Sequence, residues 1–209
     1  MKRTLTFFAI LSVLLLSFGC SDKNKGSGET VTDSVTGEEA EHHEHATDVT
    51  TTEAGKPQFT VDEIFKSQIE SLFTAYVNLK DAFVSSDADK VKKEAENTLK
   101  RLNEVDMKLV TGAAHNDWMV YQQKMKGSLQ TIQSASDIEV QRQAFSELTD
   151  PLYKSIKAFG LAGSTAYYEF CPMAFDDAGA YWLSDNSAIR NPYFGDKMLK
   201  CGEVRETLR

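Results

Sequence analysis

Between Thr60 and Phe159 apolar residues return every three or four positions, and that period constrains the fold more than any other feature. Such spacing lays one apolar stripe along a helix, and the stripe must be covered by another element. The first stripe reads Ile64, Phe65, Ile69, Leu72, Phe73, Tyr76, Leu79 and Phe83, with Thr60 and Glu63 placed as a capping box. Ser86 and Asp89 open a second helix carrying Val91, Ala95, Leu99, Leu102 and Val105, which runs out near Thr111 and Gly112. A third covers about residues 116–132, with Trp118, Tyr121, Met125, Leu129 and Ile132 turned inward. A fourth starts at Ser136 or Asp137 and carries Val140, Ala144, Phe145, Leu148, Leu152, Ile156 and Phe159. Pro151 falls within it and predicts a kink or a division into two pieces. Gly160 and Gly163 end it. Four amphipathic helices on short connections predict an all-α, up-down-up-down four-helix bundle.

After Gly163 the period changes. A-Y-Y-E-F-C-P-M-A-F and A-Y-W-L-S read as two short extended segments around the turn D-D-A-G. N-P-Y-F-G is a second turn, and D-K-M-L-K-C reads as one helical turn with Met198 and Cys201 on one face. The region is dense in aromatics, among them Tyr168, Phe170, Tyr181, Trp182 and Tyr193. It is expected to form an irregular lid, built on a short β-hairpin, over one end of the bundle.

The start of the chain has another purpose. Lys2 and Arg3 precede an apolar run from Leu5 to Phe18 that is too short to span a bilayer and ends in Gly19 and Cys20. Residues 1–20 therefore read as a lipoprotein signal peptide with Cys20 as the acylated lipobox residue, although Ser17 and Phe18 depart from the usual lipobox. Ser21 follows rather than Asp, which points to the outer membrane, facing the periplasm, with exposure at the cell surface left open. Residues 21–57 contain almost no large apolar side chain and read as a disordered acidic tether, with His42, His43 and His45 as weak metal donors. Residues 58–209 form the folded domain. The chain carries a formal charge of −8, and loss of Lys2 and Arg3 makes the mature product more acidic still. That charge, with no basic stripe and no glycine-rich phosphate loop, excludes nucleic acid as a partner.

Chemistry concentrates on sulfur. Cys171 is followed by Pro172 and Met173, and thirty residues on Met198 precedes Cys201. Thiolate and thioether donors together suit Cu(I) or Ag(I) better than zinc. Two cysteines in an exported protein equally suit a disulfide closing a loop of about 30 residues, worth roughly 3–4 kcal/mol in the chain-entropy view. A weaker candidate is His115 with Met119, one helical turn apart beside Trp118. No nucleophile elbow, zincin motif or cysteine–base pairing is present. Asp176 and Asp177 suit a turn better than acid/base work, so the chain does not read as an enzyme.

The stretches Y-Y-E-F-C-P-M-A-F-D-D-A-G-A-Y-W-L-S and I-R-N-P-Y-F-G-D-K-M-L-K-C-G resemble a bacterial family of unknown function. Its members occur as exported lipoproteins and as a domain appended to the membrane fusion proteins of copper and silver efflux systems. The resemblance covers roughly residues 60–209. Cys171-Pro172-Met173 is also similar to the start of a shorter heavy-metal-binding module. Ala174 and Phe175 stand where that module has His-Pro, and its second Cys-x-x-Cys is missing. The resemblance implies extracytoplasmic copper or silver handling and a heavy-metal efflux adaptor as partner. Two functions are thus expected. One is a lipid-anchored binding protein for a soft ion, Cu(I) first, held by Cys171, Met173, Met198 and Cys201. The other is a structural or interaction module of the envelope, closed by a Cys171–Cys201 disulfide and without metal.

Overall fold

The computed structural model describes Thr52, Glu53 and residues 55–209. Residues 1–20, read as a signal peptide ending in Cys20, and His42, His43 and His45 of the stretch read as a linker lie outside the described residues. Four helices follow one another: α1 (Glu63–Val84), α2 (Ala88–Glu104), α3 (Gly112–Ser134) and α4 (Ile138–Phe159). Each packs on its neighbour in sequence, and α1 closes on α4. Among the described residues, no helix is long and apolar enough to cross a membrane.

Aspartates start three of these helices. Asp62, not Thr60, caps α1, its carboxylate accepting the Ile64 N–H at 2.7 Å. Asp87 takes the N–H groups of Asp89 and Lys90, and Asp137 takes that of Glu139. A carboxylate satisfies an orphan amide and also complements the positive end of the helix. Helix α2 stops earlier than its apolar pattern predicts, because Val105 turns extended and one 3-10 turn, Met107–Leu109, leads into α3. Pro151 sits inside a single continuous α4 rather than dividing it; Ser155 Oγ donates to its carbonyl at 2.7 Å.

The stripes meet in one core. Phe65, Tyr76, Phe83, Trp118, Phe145 and Phe159 are fully buried. Trp118 and Phe159 each meet Phe65 edge-on, at 5.6 and 5.2 Å between centroids. Burial of each such ring is worth about 1.5–3 kcal/mol. Two members of the expected stripes point elsewhere: Ile64 is 59% exposed and Val140 49%. Both lie in the first turn of their helix, although Phe65 beside Ile64 is fully buried.

The lid is a sheet. Strands β2 (Ala166–Cys171) and β3 (Ala180–Ser184) form the expected antiparallel hairpin. On the other side of β2 lies β4 (Glu203–Leu208), also antiparallel, and β1 (Thr52–Glu53) runs parallel to β4. The order is β1-β4-β2-β3, so the sheet reaches back into the segment read as tether. Hydrogen bonds seat it on the bundle. The Tyr76 hydroxyl pairs with that of Thr149 at 2.7 Å and accepts the Leu183 N–H at 3.2 Å, joining α1, α4 and β3. Tyr153 and Lys157 of α4 donate to the carboxylate of Glu206 on β4, at 2.5 and 2.9 Å. The whole is a four-helix bundle with a small β lid.

Candidate functional site

Strand β2 delivers the first cysteine. Between Tyr168 and Glu169 its pairing with β4 shifts register. The extra residue, Arg205, lies in β4, and β2 pairs with β3 without a break, so its side chains simply alternate between the two faces. Glu169 and Cys171 are fully buried on one face, while on the other the half-buried Tyr168 stacks between Tyr153 of α4 and Tyr181, and Phe170 packs tilted against Tyr181. After Cys171 the chain leaves the sheet through Pro172 and Met173. It then makes a turn in which Phe175, Asp176 and Asp177 all have left-handed backbone, with φ of 54°, 54° and 64°. Left-handed conformation costs about 1–2 kcal/mol for each residue bearing a Cβ, so packing elsewhere must hold this turn.

The second cysteine is placed by a residue that the sequence reading passed over. Asn191 is fully buried in the loop after β3. Its side-chain amide donates to the Cys201 carbonyl at 2.8 Å and its side-chain oxygen accepts the Tyr193 N–H at 2.8 Å. Its backbone N–H bonds the Leu199 carbonyl at 2.8 Å. Arg142 of α4 clamps the same loop, its Nε donating to the Pro192 carbonyl at 3.1 Å and Nη2 to Ser86 Oγ at 2.9 Å. Gly202 follows at φ 141°, where a Cβ would stand 2.9 Å from the Phe170 carbonyl oxygen. Only glycine lets the chain pass β2 that closely. An asparagine before proline in a turn is an ordinary loop signal, so nothing local marked Asn191 as the organiser.

The two arms bring Cys171 Sγ and Cys201 Sγ to 2.8 Å. Cys171 is buried and Cys201 half-buried, and burial, then the neighbouring Cys171 thiol, pushes the Cys201 thiol up to about 11. The separation is longer than a disulfide of about 2.05 Å and shorter than the roughly 3.7 Å expected for two sulfurs on one tetrahedral ion. The expected helical turn through Met198 and Cys201 is not formed. A 3-10 turn ends at Lys197, Met198 leaves it at φ −146°, and the Cys201 N–H returns to the Met198 carbonyl at 3.0 Å. Met173 and Met198 nevertheless open on the same space. Both line one cavity of about 440 Å³, together with Glu139, Phe175, Asp176 and Asp177, and neither cysteine lines it. The four sulfur residues thus fall into a cysteine pair and an adjoining methionine cavity.

His115 and Met119 do not gain the tryptophan face expected between them. Trp118 packs into the core against Phe65 and Phe159, while Met119 is 39% exposed. Among the described residues, no three His, Cys, Asp or Glu side chains gather into a group that could hold a metal. Any ion at this site would therefore need the thioethers.

Fold and site together define a small helical bundle with a sulfur-bearing β lid. Residues 72–164 match the model of a family described as "Protein of unknown function (DUF3347)", so a domain-of-unknown-function family covers the stretch from within α1 to just before β2. That stretch contains none of the four sulfur residues of the lid. No curated protein and no solved structure matches the chain.

Proposed function

We propose that this chain is a lipid-anchored, extracytoplasmic binding protein for a soft metal ion, Cu(I) first, that serves metal export or homeostasis. The observation that carries the reading is the convergence of sulfur. Residues thirty positions apart are brought into sulfur contact, and the methionine beside each opens onto a common cavity. Two thiols and two thioethers form a donor set that favours Cu(I) or Ag(I) over zinc, calcium or magnesium. The 2.8 Å sulfur pair must open by about 1 Å to share an ion. The lipid anchor is supported by residues 1–20 and the Cys20 that ends them, and a heavy-metal efflux adaptor is the expected receiver of the ion. The activity is capture and transfer, with no reaction catalysed.

A second reading is supported by the same contact: a Cys171–Cys201 disulfide that ties β2 to the loop before β4 and leaves a purely structural envelope module. One experiment separates the two. The exported protein is alkylated under denaturing conditions and its free thiols are counted by mass; the reduced protein is then titrated with Cu(I) anaerobically against a competing chelator. Free thiols in vivo, with copper held more tightly than by the chelator and lost in Cys171→Ser, support the first reading. A quantitative disulfide in vivo, with no such binding after reduction, leaves the second.

A further inference from the structure

Resting on the soft-metal reading above, we propose that Met173 and Met198 form a docking site for Cu(I) or Ag(I) distinct from the cysteine pair, which takes the ion over from them. Access separates the two places. Cys171 is fully buried with its sulfur against that of Cys201, whereas Met173 is 47% exposed at the mouth of the methionine cavity. Cys201 is half-buried but does not line this cavity, so an ion entering by the cavity meets thioether before thiol. The wall of the cavity suits a monovalent soft cation. Glu139 is held by Arg142 Nη1 at 2.5 Å, while Asp176 and Asp177 are exposed beside the two methionines and leave a negative field. Phe175 and Tyr193, edge to face at 5.2 Å, close one side with aromatic surface that excludes water and attracts a cation.

The two places are also linked through the backbone. Met173 lies two residues from Cys171, and the Met198 carbonyl holds the Cys201 N–H. The transfer is a ligand exchange. Bonds from the ion to thioether sulfur break as bonds to Cys201 and Cys171 sulfur form, each thiol releases one proton to solvent, and the oxidation state of the ion is unchanged. A methionine is thereby a donor that needs no proton loss to receive the ion, placed where the ion arrives.

The test uses the full chain with Cys20→Ser in every arm, so that Cys171 and Cys201 are its sole thiols. Ag(I) is titrated against a competing chelator on four reduced proteins: the parent, Cys171→Ser/Cys201→Ser, Met173→Leu/Met198→Leu, and all four changes together. Loading of the dithiol is followed by stopped-flow through its near-ultraviolet thiolate-to-metal absorption. Cys201→Ser alone replaces the double cysteine variant should circular dichroism show the latter unfolded. The cysteine-free protein is expected to keep one site, bound at least about tenfold more tightly than in the fourfold variant, since even outer-shell losses at metal sites cost about 10–100-fold. The methionine variant is expected to load its dithiol about tenfold more slowly than the parent while approaching a similar final affinity. Equal binding by the cysteine-free and fourfold variants, or parental loading in the methionine variant, overturns the docking site and leaves the dithiol reading intact. Parental affinity in the cysteine-free protein would instead overturn the dithiol as acceptor while sustaining the methionine site.

Discussion

Glu169 offers the sharpest test of the packing between sheet and bundle. It is fully buried on β2, and neither carboxylate oxygen has a hydrogen bond of good geometry. Burial raises it to about 8; the Lys80 ammonium pulls it partly back, as does the Trp182 indole N–H, which favours the charge yet misses hydrogen-bond geometry. Lys80 itself, 2% exposed, pairs with Asp81 at 3.1 Å and reaches Ser184 Oγ at 3.4 Å. From the ordinary value of 4.5 up to 8 the folded protein keeps a proton that the unfolded chain has given up. Raising the pH through that window therefore favours unfolding. Stability from this group is complete below 4.5 and lost as pH climbs to 8. At about 1.4 kcal/mol for each pH unit, the interval from about pH 5 to 8 removes at most about 4 kcal/mol, and relaxation around the charge brings that nearer 2. Glu169→Gln has no proton to lose. Urea unfolding at a series of pH values, read by far-ultraviolet circular dichroism, should show the parent falling relative to the variant by about 2–4 kcal/mol over that interval. Any constant cost of burying the amide cancels in the comparison. Curves that stay parallel to within about 0.5 kcal/mol would refute the buried, proton-holding carboxylate.

Three further outcomes are expected. Tyr76→Phe leaves the buried Leu183 N–H without its partner, while the Thr149 hydroxyl keeps its bond to the Phe145 carbonyl, and should lower unfolding free energy by about 1–3 kcal/mol in thermal or urea melts. Asn191→Ala removes the bonds to the Cys201 carbonyl and the Tyr193 N–H, and should cost about 2–4 kcal/mol. It should also raise the alkylation rate of Cys201 in the reduced protein as the loop loosens. In the intact reduced protein the Cys201 thiol is pushed from 9.0 to about 11, so its iodoacetamide labelling, followed by mass, should be slow at pH 8 and climb steeply with pH until about 11. Stability that depends on this thiol staying protonated is present below 9 and falls as pH rises toward 11.

The helices were legible because their signal is local. A stripe such as Phe65, Ile69, Leu72 and Tyr76 is written in the 3.6-residue period itself, and any bundle that buries it will use it. Ile64 and Val140 were counted in the same stripes and are exposed, because periodicity gives the angle around a helix axis and not whether a neighbour covers that position. The hairpin of β2 and β3 was legible too, with its turn close by in sequence. Strand β4 was not: E-V-R-E-T-L has only a weak alternation, and its pairing with β2 bridges more than thirty residues. For the same reason Asn191 looked like a turn residue until its buried contacts with Cys201 and Tyr193 were placed.

The sequence by itself determined where the sulfur lies: two cysteines, each with a methionine close by, after four amphipathic helices. Only the tertiary structure decided how they are divided. Alternation along β2 put Cys171 on the buried face with Glu169, Asn191 and Gly202 delivered Cys201 to it, and both methionines came to line a separate cavity. Which sulfur faces solvent and which faces another sulfur depends on contacts between residues about thirty positions apart, and no local pattern encodes these.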